Sequence, residues 1–149
     1  MGFALMNDQK FEINITPGEA EPTWAQLAKG IMNAEPSTNE EIDQTVYFDS
    51  SGFKESDVTG MQLVQAFTGH RYYGDEAQDY IFSKMLELGA GRRTTFKYTE
   101  PDGGVFTGPI TIANIQPPSG DAGTKGEIAF EIHYNGKPEY TVPPVVPGP

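Results

Sequence analysis

A chain of 149 residues, 37% hydrophobic and 21% charged, has the make-up of one globular domain, neither disordered nor membrane-embedded. With 10 Lys and Arg against 21 Asp and Glu, the formal net charge is -11, which excludes sequence-independent binding to a phosphate backbone. The lack of cysteine rules out disulfides, thiol nucleophiles and cysteine-held metals, and no apolar run reaches the ~18 residues of a transmembrane helix.

The N-terminal MGFALMNDQKF lacks the basic-then-apolar order of a signal peptide. Lys10–Thr16 alternates, with Phe11, Ile13 and Ile15 on one face, and predicts a half-buried strand ended by Pro17-Gly18. From Trp24 to Ile31, apolar residues at 24, 27, 28 and 31 suit one or two helical turns, which Gly30 weakens. Asn33–Glu40 reads as a polar loop, Glu41–Asp49 as a strand, and Ser50–Gly60 as a second polar loop forming an exposed arm. Met61–Gly69 reads as a strand with at least one protected face.

A Gly/aromatic turn then leads into the strongest helix signal. Asp75 is placed to cap it and Gln78, three residues on, to complete a capping box. Ala77, Tyr80, Ile81, Met85 and Leu88 form one stripe. Gly89 stands where a left-handed C-cap belongs, so the helix is predicted over 76–88.

The rest reads as β. Thr94–Thr99 is a strand, Pro101–Gly104 a turn, and Val105–Ile115 a longer strand bent at Gly108-Pro109. Gln116–Gly126 is an exposed loop. Glu127–Tyr134 has the cleanest alternation, Ile128, Phe130, Ile132 and Tyr134 against Glu127, Ala129, Glu131 and His133. Asn135-Gly136 signals a hairpin turn and Pro138–Val142 a last short strand. The expected architecture is mainly β (α+β): a β-sandwich or barrel of six or seven strands with one flanking helix. A single domain is expected over 1–142, with a Pro-rich extended C-terminal arm at 143–149.

Catalytic and cofactor chemistry finds no foothold. His70 and His133 have no neighbours at ligand spacing. The carboxylates Glu40, Glu41 and Asp43, or Asp75, Glu76 and Asp79, lack an apolar setting that would split their pKa values. Asp75-Glu76 instead complements a helix N-terminus. Asp49–Gly52 lacks the ligand alternation of a calcium loop. Gly89-Ala90-Gly91 follows the helix, whereas a phosphate-binding loop precedes one. No metal, no cofactor and no enzymatic activity are expected.

Several segments in fixed order carry a resemblance: EPTWAQL from Glu21, YFD from Tyr47 with a small-polar loop, Thr59-Gly60 and a strand, FTGHR from Phe67, and GDEAQDYI from Gly74. Over about residues 10–135 the chain resembles the major tail proteins of long non-contractile-tailed phages, particularly those of Gram-positive hosts. The resemblance implies a tail-tube fold whose subunits form hexameric rings stacked into a tube. It implies a tape-measure protein inside, tail terminator and distal tail proteins as further partners, DNA crossing the lumen without specific binding, and a place in the virion tail. On that footing Glu127 and Glu131 are candidate lumen-lining acids, with an ordinary solvated strand face as the competing reading. Asp49–Gly60 and the C-terminal arm are the expected inter-ring contacts. Alternatives are a head–tail completion or secreted ring-forming tube protein, a monomeric β-sandwich binding module, or a hydrolase using an acidic pair.

Overall fold

The computed structural model describes residues 2–143, so six of the seven residues assigned to the C-terminal arm lie outside it. Among the described residues there are ten strands and one α-helix. In chain order the strands are β1 (Lys10–Asn14), β2 (Trp24–Gln26), β3 (Ile31–Ser37), β4 (Glu41–Val46), β5 (Lys54–Gly60) and β6 (Val64–His70). Helix α1 (Glu76–Ser83) follows, then β7 (Arg93–Thr99), β8 (Val105–Ser119), β9 (Glu127–Tyr134) and β10 (Glu139–Thr141).

Eight strands form one antiparallel sheet in the order β2-β1-β7-β8-β9-β6-β3, with β10 added on β8. The sheet folds over on itself. Three strands separate β1 from β6 along it, yet the rings of Phe11 and Phe67 meet edge-on at 4.9 Å and those of Phe67 and Phe96 lie 6.1 Å apart. The result is a β-sandwich: β2, β1 and β7 form one layer, β9, β6 and β3 the other, and the 15-residue β8 joins them. Period-two patterning drives this closure, because burying every second residue of each strand gives the two layers one shared core. Phe11, Ile13, Phe67, Phe96, Ile110, Ile112, Ile128, Phe130, Ile132 and Tyr134 fill it.

The structure departs from the sequence expectations at several points. Trp24–Ile31 is not helical; Trp24–Gln26 is a strand, held by pairing with β1, and Leu27 continues it by donating its N–H to the Phe11 carbonyl at 2.8 Å. The first half of the expected loop at 33–40 belongs to edge strand β3, which tolerates Pro36 because among the described residues its outer side has no partner strand. The second half of the expected loop at 50–60 is strand β5, paired with β4. Strand β8 passes through Gly108-Pro109 with regular pairing to β7, and its register with β9 slips between Ala113 and Gln116, where Asn114 takes a positive φ of 50°.

The helix stops five residues short of the predicted end. Beyond Ser83 the chain closes short turns, Lys84 N–H to Ile81 O and Met85 N–H to Phe82 O. Arg92 then ties the segment after the helix to the sheet, donating from its guanidinium to Met85 O at 2.7 Å, Glu87 O at 2.9 Å and, on β8, Ile112 O at 3.2 Å. Gly89 does adopt a positive φ of 58°, but in a separate 3-10 turn, and Leu88 is exposed rather than part of the buried stripe.

Candidate assembly surfaces

Three features stand out on the surface: a junction that fixes the helix to the sheet, a solvent face of one charge sign, and a hairpin that among the described residues pairs with no other strand.

The junction is the Gly/aromatic turn and the helix start. The Asp75 carboxylate accepts the Gln78 N–H at 3.1 Å, an N-cap. The Gln78 side chain does not reach back to complete a capping box. It is fully buried, and its Nε2 donates to Lys29 O at 2.7 Å and His70 O at 3.0 Å, while its Oε1 accepts from Tyr72 N at 2.9 Å and Arg71 Nη1 at 3.3 Å. One side chain thus ties the helix, the end of β6 and the turn before β3. Arg71, almost wholly covered, pairs with Asp79 at 2.9 Å and lies between the rings of Tyr73 and Phe82. Close backbone approach explains the glycines: a Cβ on Gly69 would sit 2.2 Å from Gly30 O, and one on Gly30 2.5 Å from His70 O. Sequence reasoning missed Gln78 as a hub, although its place between Ala77 and Ile81 on the apolar stripe was a usable sign.

The charged face belongs to the layer of β3, β6, β9 and the second half of β8. With Ile128, Phe130, Ile132 and Tyr134 in the core, Glu127, Ala129, Glu131 and His133 point outward. Register aligns His133 with Val64 and Thr111, Glu131 with Ala66 and Ala113, and Glu127 with His70 and Ser119. Glu35, opposite Ala66 on β3, stands in the row of Glu131 and, with Glu127, makes three carboxylates on the face. Strands β3, β6, β8 and β9 contain no Lys or Arg at all. An open groove of about 460 Å³ runs over this face, with Glu35, Ser37, Asn39, Gln62, Glu131 and His133 among its walls. His133 Nε2 lies 2.8 Å from Glu131 Oε1. That hydrogen bond, with a second from Asn114, holds the Glu131 carboxyl below its ordinary value. His70 lies at the other end of the face, opposite Glu127, and among the described residues no cluster of three or more His, Cys, Asp or Glu could hold a metal.

The hairpin is β4 with β5. It forms its own two-stranded sheet, paired from Glu41–Gly60 to Val46–Lys54. One side carries Ile42, Val46 and Val58, the other Asp43, Glu55 and Asp57. Ile42 and Val58 stay 55% and 56% exposed, and at the tip Phe48 is wholly exposed and Phe53 78% exposed. An isolated two-stranded ribbon is marginal in water, and contiguous exposed apolar side chains of this kind mark contact sites.

Set beside known proteins, the chain matches solved structures but neither family models nor curated sequences. No protein-family model matches it, and no curated protein does. A chain in the tail of an empty gene transfer agent particle, refined helically with C6 symmetry, aligns at TM-score 0.76 and 15% identity over 94% of this chain and all of that one. A chain of the native gene transfer agent virion gives TM-score 0.75 at 15% identity, with the same coverage. A chain of an extracellular contractile injection system, in its extended sheath–tube complex, gives TM-score 0.51 at 12% identity over 93% of this chain and 91% of that one. At these identities the likeness establishes the fold, a β-sandwich with one helix shared with components of tail-like particles.

Proposed function

We propose that the protein is the structural subunit of a tail tube, a virion component made to polymerise rather than to catalyse. The observation that carries this reading is the acidic outer face of β3, β6, β8 and β9, strands that contain no Lys or Arg. Those four strands, repeated around an axis, would line a bore with Glu35, Glu127 and Glu131 and no Lys or Arg from the strands. The free edge of β3 supplies unpaired backbone groups for joining neighbours. Six copies at -11 each carry about -66. A wall of that sign repels phosphate over ~8–10 Å, so DNA passes without adhering.

The fold shared with a C6-symmetric gene transfer agent tail supports hexameric rings stacked into a tube. A tape-measure protein in the lumen, a tail terminator and a distal tail protein complete the proposed partners. The likeness extends to contractile systems, so the fold suits either kind of tail; the resemblance in sequence favours long non-contractile tails of Gram-positive hosts. The hairpin is the proposed contact between rings, which covers its apolar residues; the C-terminal arm is a second, offered from sequence alone.

The test is Glu127→Lys with Glu131→Lys. Rings and tubes visible by negative stain should persist while genome delivery slows or stops. Unchanged delivery through intact tubes would reject the lumen assignment. A ring-forming completion protein would instead give single rings, and a binding module monomers.

A further inference from the structure

The layer opposite the acidic face carries the other sign. On the outward side of β2, β1 and β7 stand Lys10, Gln26, Arg93, Thr95 and Lys97, with Trp24 beneath the Lys97 ammonium at 4.5 Å. Three cations face one carboxylate, Glu12, which lies 3.7 Å from Lys10; Glu139 of β10 bounds the strip across β8. In a chain of net charge -11 this strip stands out. The hairpin is its complement. Residues 40–60 hold six carboxylates and one lysine, a net of -5, and Asp43, Glu55 and Asp57 share one side of the ribbon.

We infer that the cationic face of β1, β2 and β7 is the seat for the acidic side of the β4–β5 hairpin of a second copy. The inference rests on the assembly reading above and adds to it the receiving surface. Each copy offers both halves of the contact, so it is heterologous and propagates from copy to copy. Opposite charge brings hairpin and seat together and fixes their register. Hydrophobic burial of Ile42, Val46 and Val58 against the surrounding assembly then holds the arm.

Charge reversal in pairs tests this. One variant carries Asp43→Lys and Asp57→Lys, which turns the Asp43/Glu55/Asp57 side of its hairpin from acidic to basic; the other carries Lys10→Glu and Arg93→Glu, making its seat acidic. All four positions are exposed, and unchanged thermal melts confirm that both variants fold. Alone, each meets like charge and should lose sedimentable tubes by tenfold or more at 0.1 M salt, where the Debye length is ~10 Å. Mixed in equal amounts, the reversed hairpin of the first variant finds the acidic seat of the second, the acidic hairpin of the second finds the cationic seat of the first, and tubes should return. Wild-type tubes together with an inactive mixture, or with either variant assembling normally alone, would overturn the seat assignment while leaving the tube reading intact. A wild-type protein that never forms tubes overturns both.

Discussion

Replacing Gln78 by Ala should be among the most damaging single changes at the helix–sheet junction. The substitution strips the two donors serving Lys29 O and His70 O and the acceptor serving Tyr72 N, all at 3.0 Å or less. An unsatisfied buried backbone group costs about 1–3 kcal/mol. All three bonds are only part-buried and Lys29 and Tyr72 lie at the exposed surface, so water entering the vacated space holds the loss to about 2–4 kcal/mol, still a large share of a typical domain's 5–15 kcal/mol. Arg71 Nη1 also loses its 3.3 Å bond to Gln78 Oε1, whereas the Arg71–Asp79 ion pair at 2.9 Å does not run through Gln78. Urea unfolding followed by Trp24 fluorescence measures it, with an unchanged m-value expected. Gln78→Glu should fall well short of wild type as well, because it supplies acceptors where two carbonyls need donors. A loss below about 1 kcal/mol for Gln78→Ala would refute the hub assignment and reduce the residue to a helix-surface position.

Removing the N-cap is milder: Asp75→Ala should cost about 1 kcal/mol in the same urea assay, and a cost equal to that of Gln78→Ala would contradict the separation of cap and hub. Replacing residues 40–60 with a short Gly/Ser turn should leave the melting temperature within a few degrees of wild type, because the hairpin shares no strand pairing with the main sheet, yet abolish sedimentable tubes. A collapse in melting temperature would show that the ribbon supports the fold. Glu131, whose carboxyl is held below its ordinary value by His133 first and Asn114 second, contributes stability that is complete above its unfolded pKa and fades as pH falls through the folded one. His133→Ala should therefore move the Glu131 carboxyl titration, read by NMR, upward toward the ordinary carboxylate range; an unmoved titration would dismiss the pair as electrostatically idle.

Much of the sandwich was legible because its strands bury alternate residues. KFEIN, VQAFTGH, RTTFKYT and EIAFEIHY each show that period, and each is a strand. Strands that bury little were harder to read. IMNAEPS pairs only along one side and KESDVTG only within the hairpin, so neither needs an apolar stripe, and polarity reads as loop. Trp24–Gln26 looked helical because three residues cannot establish a period. The helix end misled for another cause: the apolar stripe continues through Met85 and Leu88, but beyond Ser83 the chain closes short turns whose carbonyls at Met85 and Glu87 bind Arg92. Of the surface features, Glu127 and Glu131 were readable as a pair on one polar strand face. Glu35 was not, because its membership in that face depends on a strand pairing 31 residues away in sequence, between Glu35 and Ala66. The same holds for the cationic strip, whose members come from β1 and β7.

Electron microscopy of the purified protein at high concentration, carried to a helical reconstruction, tests the central claim most directly. The account predicts stacked six-membered rings whose bore is walled by β3, β6, β8 and β9, with Glu35, Glu127 and Glu131 facing the axis and Lys10, Arg93 and Lys97 turned away from it. Particles that remain single copies at every concentration, or a tube whose bore is lined by the cationic layer, would contradict it.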